Sequence, residues 1–160
     1  MRLKRLISDK SGNTIFSRRF WKFLKQRMKY GFDQSDTLNL SYTIAEFILP
    51  RLKMFRDVTV GYPAGQKISG IEEWKETLDK MIMAFDYIIK YDNHNHDFEK
   101  ELKDKAEQLT KTLTPEEIKA YKSPWSYPRY NDIITDMDYY NYSVREGLDL
   151  FAKYYNNLWW

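Results

Sequence analysis

The chain has 160 residues and a mass of 19.4 kDa, is 42% hydrophobic and 31% charged, and carries a formal net charge of +3. A single domain with its own core is expected at this size. No run reaches the ~18 apolar residues of a membrane span, and the absence of cysteine excludes disulfides, thiol nucleophiles, iron–sulfur ligation and Cys-type zinc sites.

Charge is unevenly spread. Residues 1–30 carry Arg2, Lys4, Arg5, Lys10, Arg18, Arg19, Lys22, Lys25, Arg27 and Lys29 against Asp9 alone, a net +9. The other 130 residues hold 16 basic and 22 acidic groups, a net −6. Such an arm can meet phosphates, an anionic surface, or the acidic remainder of its own fold or a second subunit. The basic Met1–Ile7 stretch is not followed by the apolar run and cleavage site of a secretory signal, so a cytoplasmic setting is expected.

Aromatic residues make 17% of the chain, with 13 Tyr, 9 Phe and 5 Trp against 6 Gly and 5 Pro. Few turns and many rings predict a helical protein. Phe16, Phe20, Phe23, Leu24 and Met28 recur at helical spacing, with Arg18, Lys22, Lys25 and Lys29 on another face. That predicts an amphipathic basic helix ending near Gly31, with Trp21 beside the basic stripe.

Leu40, Ile44, Phe47, Ile48, Leu52 and Phe55 predict a second helix, kinked between Glu46 and Pro50 because proline removes an amide donor. Val58 to Ser69 reads as a loop, with room for an extended piece at Val58–Val60. Ser69 followed by Glu72 has the form of a capping box. After it, Ile71, Trp74, Leu78, Met81, Phe85 and Ile88 trace one face of a central core helix. Asp92–Asp97 breaks the pattern, and Phe98, Leu102, Ala106, Leu109 and Leu113 restore it.

Thr114-Pro115-Glu116-Glu117 places a cap, a first-position proline and two acids where a short helix should begin. Ser123 to Tyr130, with Trp125, Tyr127 and Tyr130, reads as an extended aromatic connector. Ile133, Met137, Tyr140, Val144, Leu148, Phe151, Tyr155 and Leu158 predict a long last helix, with Trp159 and Trp160 docked on the body or across an interface. No repeat or linker is evident, and the elements predict an all-α single domain of five or six helices, residues 1–30 forming its basic arm.

Gly31-Phe32-Asp33, Asp36-Thr37, Asn39-Leu40, the run Thr43 to Lys53 (TIAEFILPRLK), then Trp74, Leu78 to Ile82 and Ala84-Phe85 resemble a family of short uncharacterised proteins encoded in tailed-bacteriophage genomes. The similar stretch spans about residues 31–86; Leu38 and Ser41 stand where that family often has Trp and Asp. The resemblance implies phage origin and a place in the host cytoplasm or the virion. It carries over no site residues.

The candidate chemistry is sparse. His94 and His96 lie among Asp92, Asn93, Asn95 and Asp97, a concentration of metal ligands that a helix-capping loop explains equally well. Asp132, Asp136 and Asp138 could bind Mg²⁺ or act as acid and base, or serve the dipole of a helix start. Gly61 to Gly65 matches neither a P-loop nor a dinucleotide fingerprint. Binding without catalysis and without a cofactor is therefore expected.

Arg18, Lys22, Lys25 and Arg51 offer charge for phosphates, with Trp21, Tyr30 and Trp125 for stacking. The leading expectation is a phage counter-defence protein, a homo-oligomer in the host cytoplasm, that sequesters an anionic ring-bearing ligand such as a nucleotide immune signal, or a host protein. The alternative is a structural or nucleic-acid-associated virion component. A metal-dependent phosphodiesterase is a weaker third.

Overall fold

The computed structural model describes residues 17–64, 67–122 and 132–159, and among these are six α-helices and no strand. The all-α expectation holds. Two compact units are distinguished, divided between Ile44 and Ala45.

In the first unit, α1 (Arg18–Tyr30) starts where the Ser17 hydroxyl accepts the Arg19 amide. It ends at Gly31, whose φ of 81° is open to glycine without strain and whose amide donates to the Arg27 carbonyl. Phe20 and Phe23 are buried, but Met28 is 81% exposed, so the expected apolar stripe stops short. At 3.6 residues per turn Met28 lies about 90° round the helix from the centre of the Phe20–Phe23–Leu24 face. Phe16 lies outside the described residues.

Asp33 then caps a 3-10 turn at Gln34–Thr37. Its buried carboxylate accepts the Ser35 amide and hydroxyl and pairs with the Arg27 guanidinium, while Asp36 accepts the Asp33 amide. Asn39 accepts the Tyr42 amide at the start of α2 (Leu40–Val58), which crosses from the first unit into the second and continues through Pro50.

The second unit's main core joins Ala45, Leu49 and Leu52 of α2, Trp74, Leu78, Met81 and Phe85 of α3 (Ile71–Asp92), and Tyr154 at the end of α6 (Asp136–Tyr154). Of the expected stripe, Leu52 is buried and Ile48 and Phe55 pack against this core, whereas Leu40, Ile44 and Phe47 are exposed. Two apolar stripes run along α2, and the one through Ala45 and Leu49 meets the core. No extended piece forms at Val58–Val60, because α2 runs through Val58.

Helix α3 begins one residue later than the expected cap requires. Gly70 is the N-cap, so Glu73 and not Glu72 occupies the third helical position, and its carboxylate accepts the Ser69 amide and hydroxyl. Asn93–Asn95 then link α3 to α4 (His96–Thr112), where Asn95 accepts the Phe98 amide.

Phe98 and Leu102 pack with Tyr87, while Ala106 meets Ile118 of α5 (Pro115–Tyr121) and Ile134. The expected cap at Thr114 is present as a full box with Glu117. The last helix ends at Tyr154 and a 3-10 turn follows at Tyr155–Asn157, shorter than the stripe through Leu158 predicts. The change of pitch returns Leu158 to the core and leaves Trp159 71% exposed, so Trp159 is not buried on the body; Trp160 lies outside the described residues.

Candidate functional site

Helix α1 sorts its side chains by angle. Phe20 and Phe23 take the buried side, and Arg18, Trp21, Lys22 and Lys25 share one exposed face spanning about 100°. Three of the four are cationic. The Trp21 ring meets Phe20 edge-on at 5.8 Å and remains 54% exposed, so one side is held and the other faces solvent.

Lys22 reaches back to Gln34, donating to its Oε1 at 3.3 Å, while the Gln34 amide donates to Gln26 at 3.0 Å. The chain reversal at Gly31 brings this polar turn beside the helix. Gln34 was invisible to sequence reasoning, since only that reversal places it near Lys22. Tyr30 sits at the end of α1 off the cationic face, exposed, tilted against Phe32 at 6.1 Å, with the Lys29 ammonium 4.9 Å from its ring centre.

Among the described residues, ion pairing is sparser along α1 than in the second unit. Among the described residues, Arg27 is the α1 cation with an ion pair, to Asp33. In the second unit Arg56 pairs with Asp79 through two bonds of 2.9 and 3.0 Å, Lys80 with Glu146 at 2.7 Å, and Lys122 with Asp138 at 2.8 Å. These bonds raise the Arg56 and Lys80 values above the ordinary.

Arg51 belongs to the second unit. Its guanidinium donates to the Phe47 carbonyl at 2.6 Å and lies 3.6 Å from the centre of the Phe47 ring, a cation–π contact along one helix. Trp125 lies outside the described residues.

His94 and His96 are exposed in and beside the α3–α4 connection; His94 has φ 48° and His96 Nδ1 stands 3.4 Å from Glu99. Among the described residues no three His, Asp or Glu side chains converge as a metal site would require. Asp132 and Asp136 are exposed in separate surroundings from Asp138. Asp138 is buried, accepting from Thr135 and from Lys122, which is the helix-start role.

A cavity of about 260 Å³ opens in the second unit between the Val58–Pro63 loop, Trp74, Asn157 and Trp159. Among the described residues its walls carry no charged side chain. It suits an apolar group better than a phosphate. Among the described residues, no helix is long and apolar enough to cross a membrane. No family model, curated protein or solved structure matches the chain.

Proposed function

We propose that the chain is a non-catalytic binding protein of phage origin, and that the exposed face of α1 takes single-stranded nucleic acid. The observation that carries this is the grouping of Arg18, Lys22 and Lys25 with a half-exposed Trp21 on one face. Cations track a phosphate backbone, and a ring held on one side offers the other to any base, which makes the contact tolerant of sequence. An extended strand suits an open helix face. A nucleotide enclosed in a pocket would want cations that outnumber acids there; among the described residues the cavity beside Trp74 has no cation, and the open groove along α4 sets Lys100 and Lys105 among Asp97, Glu101 and Asp104.

The resemblance of residues 31–86 to phage proteins supports a setting in the host cytoplasm or the virion, where coating or sequestering a strand needs no chemistry. Fluorescence anisotropy with a labelled oligonucleotide tests the reading. Arg18→Glu, Lys22→Glu and Lys25→Glu together should abolish binding, and Trp21→Ala should weaken it by about 1–3 kcal/mol. Unchanged affinity in the triple variant refutes the site. Uptake of free mononucleotides with no oligonucleotide binding would instead support the sequestration of a small signal.

A further inference from the structure

The apolar stripe of α2 that the core does not use has its own order. Leu40, Ile44, Phe47, Arg51, Met54 and Val58 follow one another at intervals of four, three, four, three and four residues, and every one is exposed. That alternation has the spacing of an a/d seam, the stripe that a second helix of matching spacing would cover. The buried residues Ala45, Leu49 and Leu52 occupy another face of the same helix, so the seam is additional to the core contact.

Leu40 is 55% exposed, Phe47 57% and Met54 70%. With Ile44, Arg51 and Val58 they would remove ~500 Å² per protomer, taking ~150–200 Å² for a large side chain, or ~1,000 Å² for a pair, the lower bound of a specific interface.

From this seam we infer that α2 pairs with α2 of a second copy of this chain, antiparallel about a two-fold axis. Arg51 decides the occupant and the direction. A parallel pair would place two Arg51 guanidinium groups against each other at an a position, which like charge opposes. Antiparallel pairing in the register that uses all six positions sets Leu40 against the second copy's Val58 and Ile44 against its Met54. Arg51 then faces the second copy's Phe47. The guanidinium already lies over its own Phe47 ring at 3.6 Å, so the pairing offers the same cation–π chemistry from a second side. The stripe is thus complementary to itself when reversed, which is the requirement of an isologous contact.

Sedimentation equilibrium on the full chain, with cross-linking, tests this. At about 100 μM the chain should be a dimer, and Met54→Glu should weaken association by about tenfold or more while Met54→Leu preserves it. Circular dichroism of Met54→Glu should match the parent, since the side chain is exposed. The sequence has no cysteine, so Ile44→Cys and Met54→Cys each introduce a single thiol. Mixed under oxidising conditions, the two proteins should form the 44–54 disulfide in preference to either self-disulfide. A monomer at that concentration, a dimer indifferent to Met54→Glu in folded protein, or preferred 44–44 linkage would each overturn the proposal.

Discussion

Gly147 of α6 lies directly against Ala84 of α3, so close that a Cβ on Gly147 would fall 2.4 Å from the Ala84 Cβ and 2.6 Å from the Lys80 carbonyl oxygen. Glycine is there for approach, since no positive φ is involved. The closeness brings Met81 and Phe85 of α3 into one core with the aromatic end of α6, where Trp74 meets Tyr154 and Phe85 meets Phe151 edge-on. Gly147→Ala should therefore destabilise the protein by about 1–3 kcal/mol in urea titration, despite alanine's better helix propensity. Ala84→Gly should rescue it only in part, because the backbone oxygen of Lys80 cannot withdraw.

A second test concerns Asp138, whose carboxylate holds Thr135 through amide and hydroxyl and Lys122 at 2.8 Å. Both charged side chains are nearly enclosed, at 6% and 12% exposure. Removing Asp138 leaves the enclosed Lys122 ammonium with the Ile133 carbonyl but no counter-charge in that bond. Asp138→Ala should cost about 3–5 kcal/mol and Thr135→Ala about 1 kcal/mol by denaturant unfolding. Equal, small effects would contradict this account of the helix start.

Alkaline pH should weaken the contact between α3 and α4. Burial pushes the Tyr87 hydroxyl up to about 12. Burial works to lower Lys105, but its hydrogen bonds to Glu101 and Tyr87 outweigh that and hold it above the ordinary value. Both groups bind their protons more tightly in the folded chain, so their contribution is complete below the ordinary tyrosine value of 10.0 and is lost as pH climbs towards 12. Tyr139 also faces Tyr87, and the half-buried Tyr121 and Tyr140 shift in the same direction. Melting temperature should fall between those pH values, and Tyr87→Phe should reduce the fall by removing one share of it. An equal fall in that variant would remove Tyr87 from the explanation.

Acid should act on the caps instead. Hydrogen bonds from the Thr114 amide and hydroxyl lower the Glu117 carboxyl, and those from the Ser69 hydroxyl and amide lower Glu73. Each stabilises the fold above the ordinary glutamate value of 4.5 and loses that effect as pH drops through its lowered value. Glu117→Gln should flatten the acid limb of a thermal-stability profile; an unaltered limb would show that this cap does not contribute.

What could be read in advance followed local chemistry. The glycine stop at Gly31, the Thr114–Glu117 box and the single long stripe of α3 each depend on residues within a few positions of one another. The buried face of α2 was readable only in part: Ile48, Leu52 and Phe55 of the expected stripe reach the core, but Leu40-Ile44-Phe47 and Ala45-Leu49 are both apolar at helical spacing, and only the position of α3 and α6 selects between them. The start of α3 moved by one residue because Gly70 took the cap position beside a serine that looks better suited to it.

At the candidate site, the cationic face of α1 was visible as a run at three- and four-residue intervals. The contact of Lys22 with Gln34 was hidden behind a chain reversal, and that of Arg51 with Phe47 was masked by the reading of Phe47 as core.

The cationic face of α1 is tested most directly by the salt dependence of oligonucleotide binding. If Arg18, Lys22 and Lys25 each displace a counterion from a single strand, the logarithm of the association constant should fall against the logarithm of salt concentration with a slope of about −2. Charge reversal at Lys22 and Lys25 should bring that slope close to zero. Binding that ignores salt, or no binding even at low salt, would contradict the account.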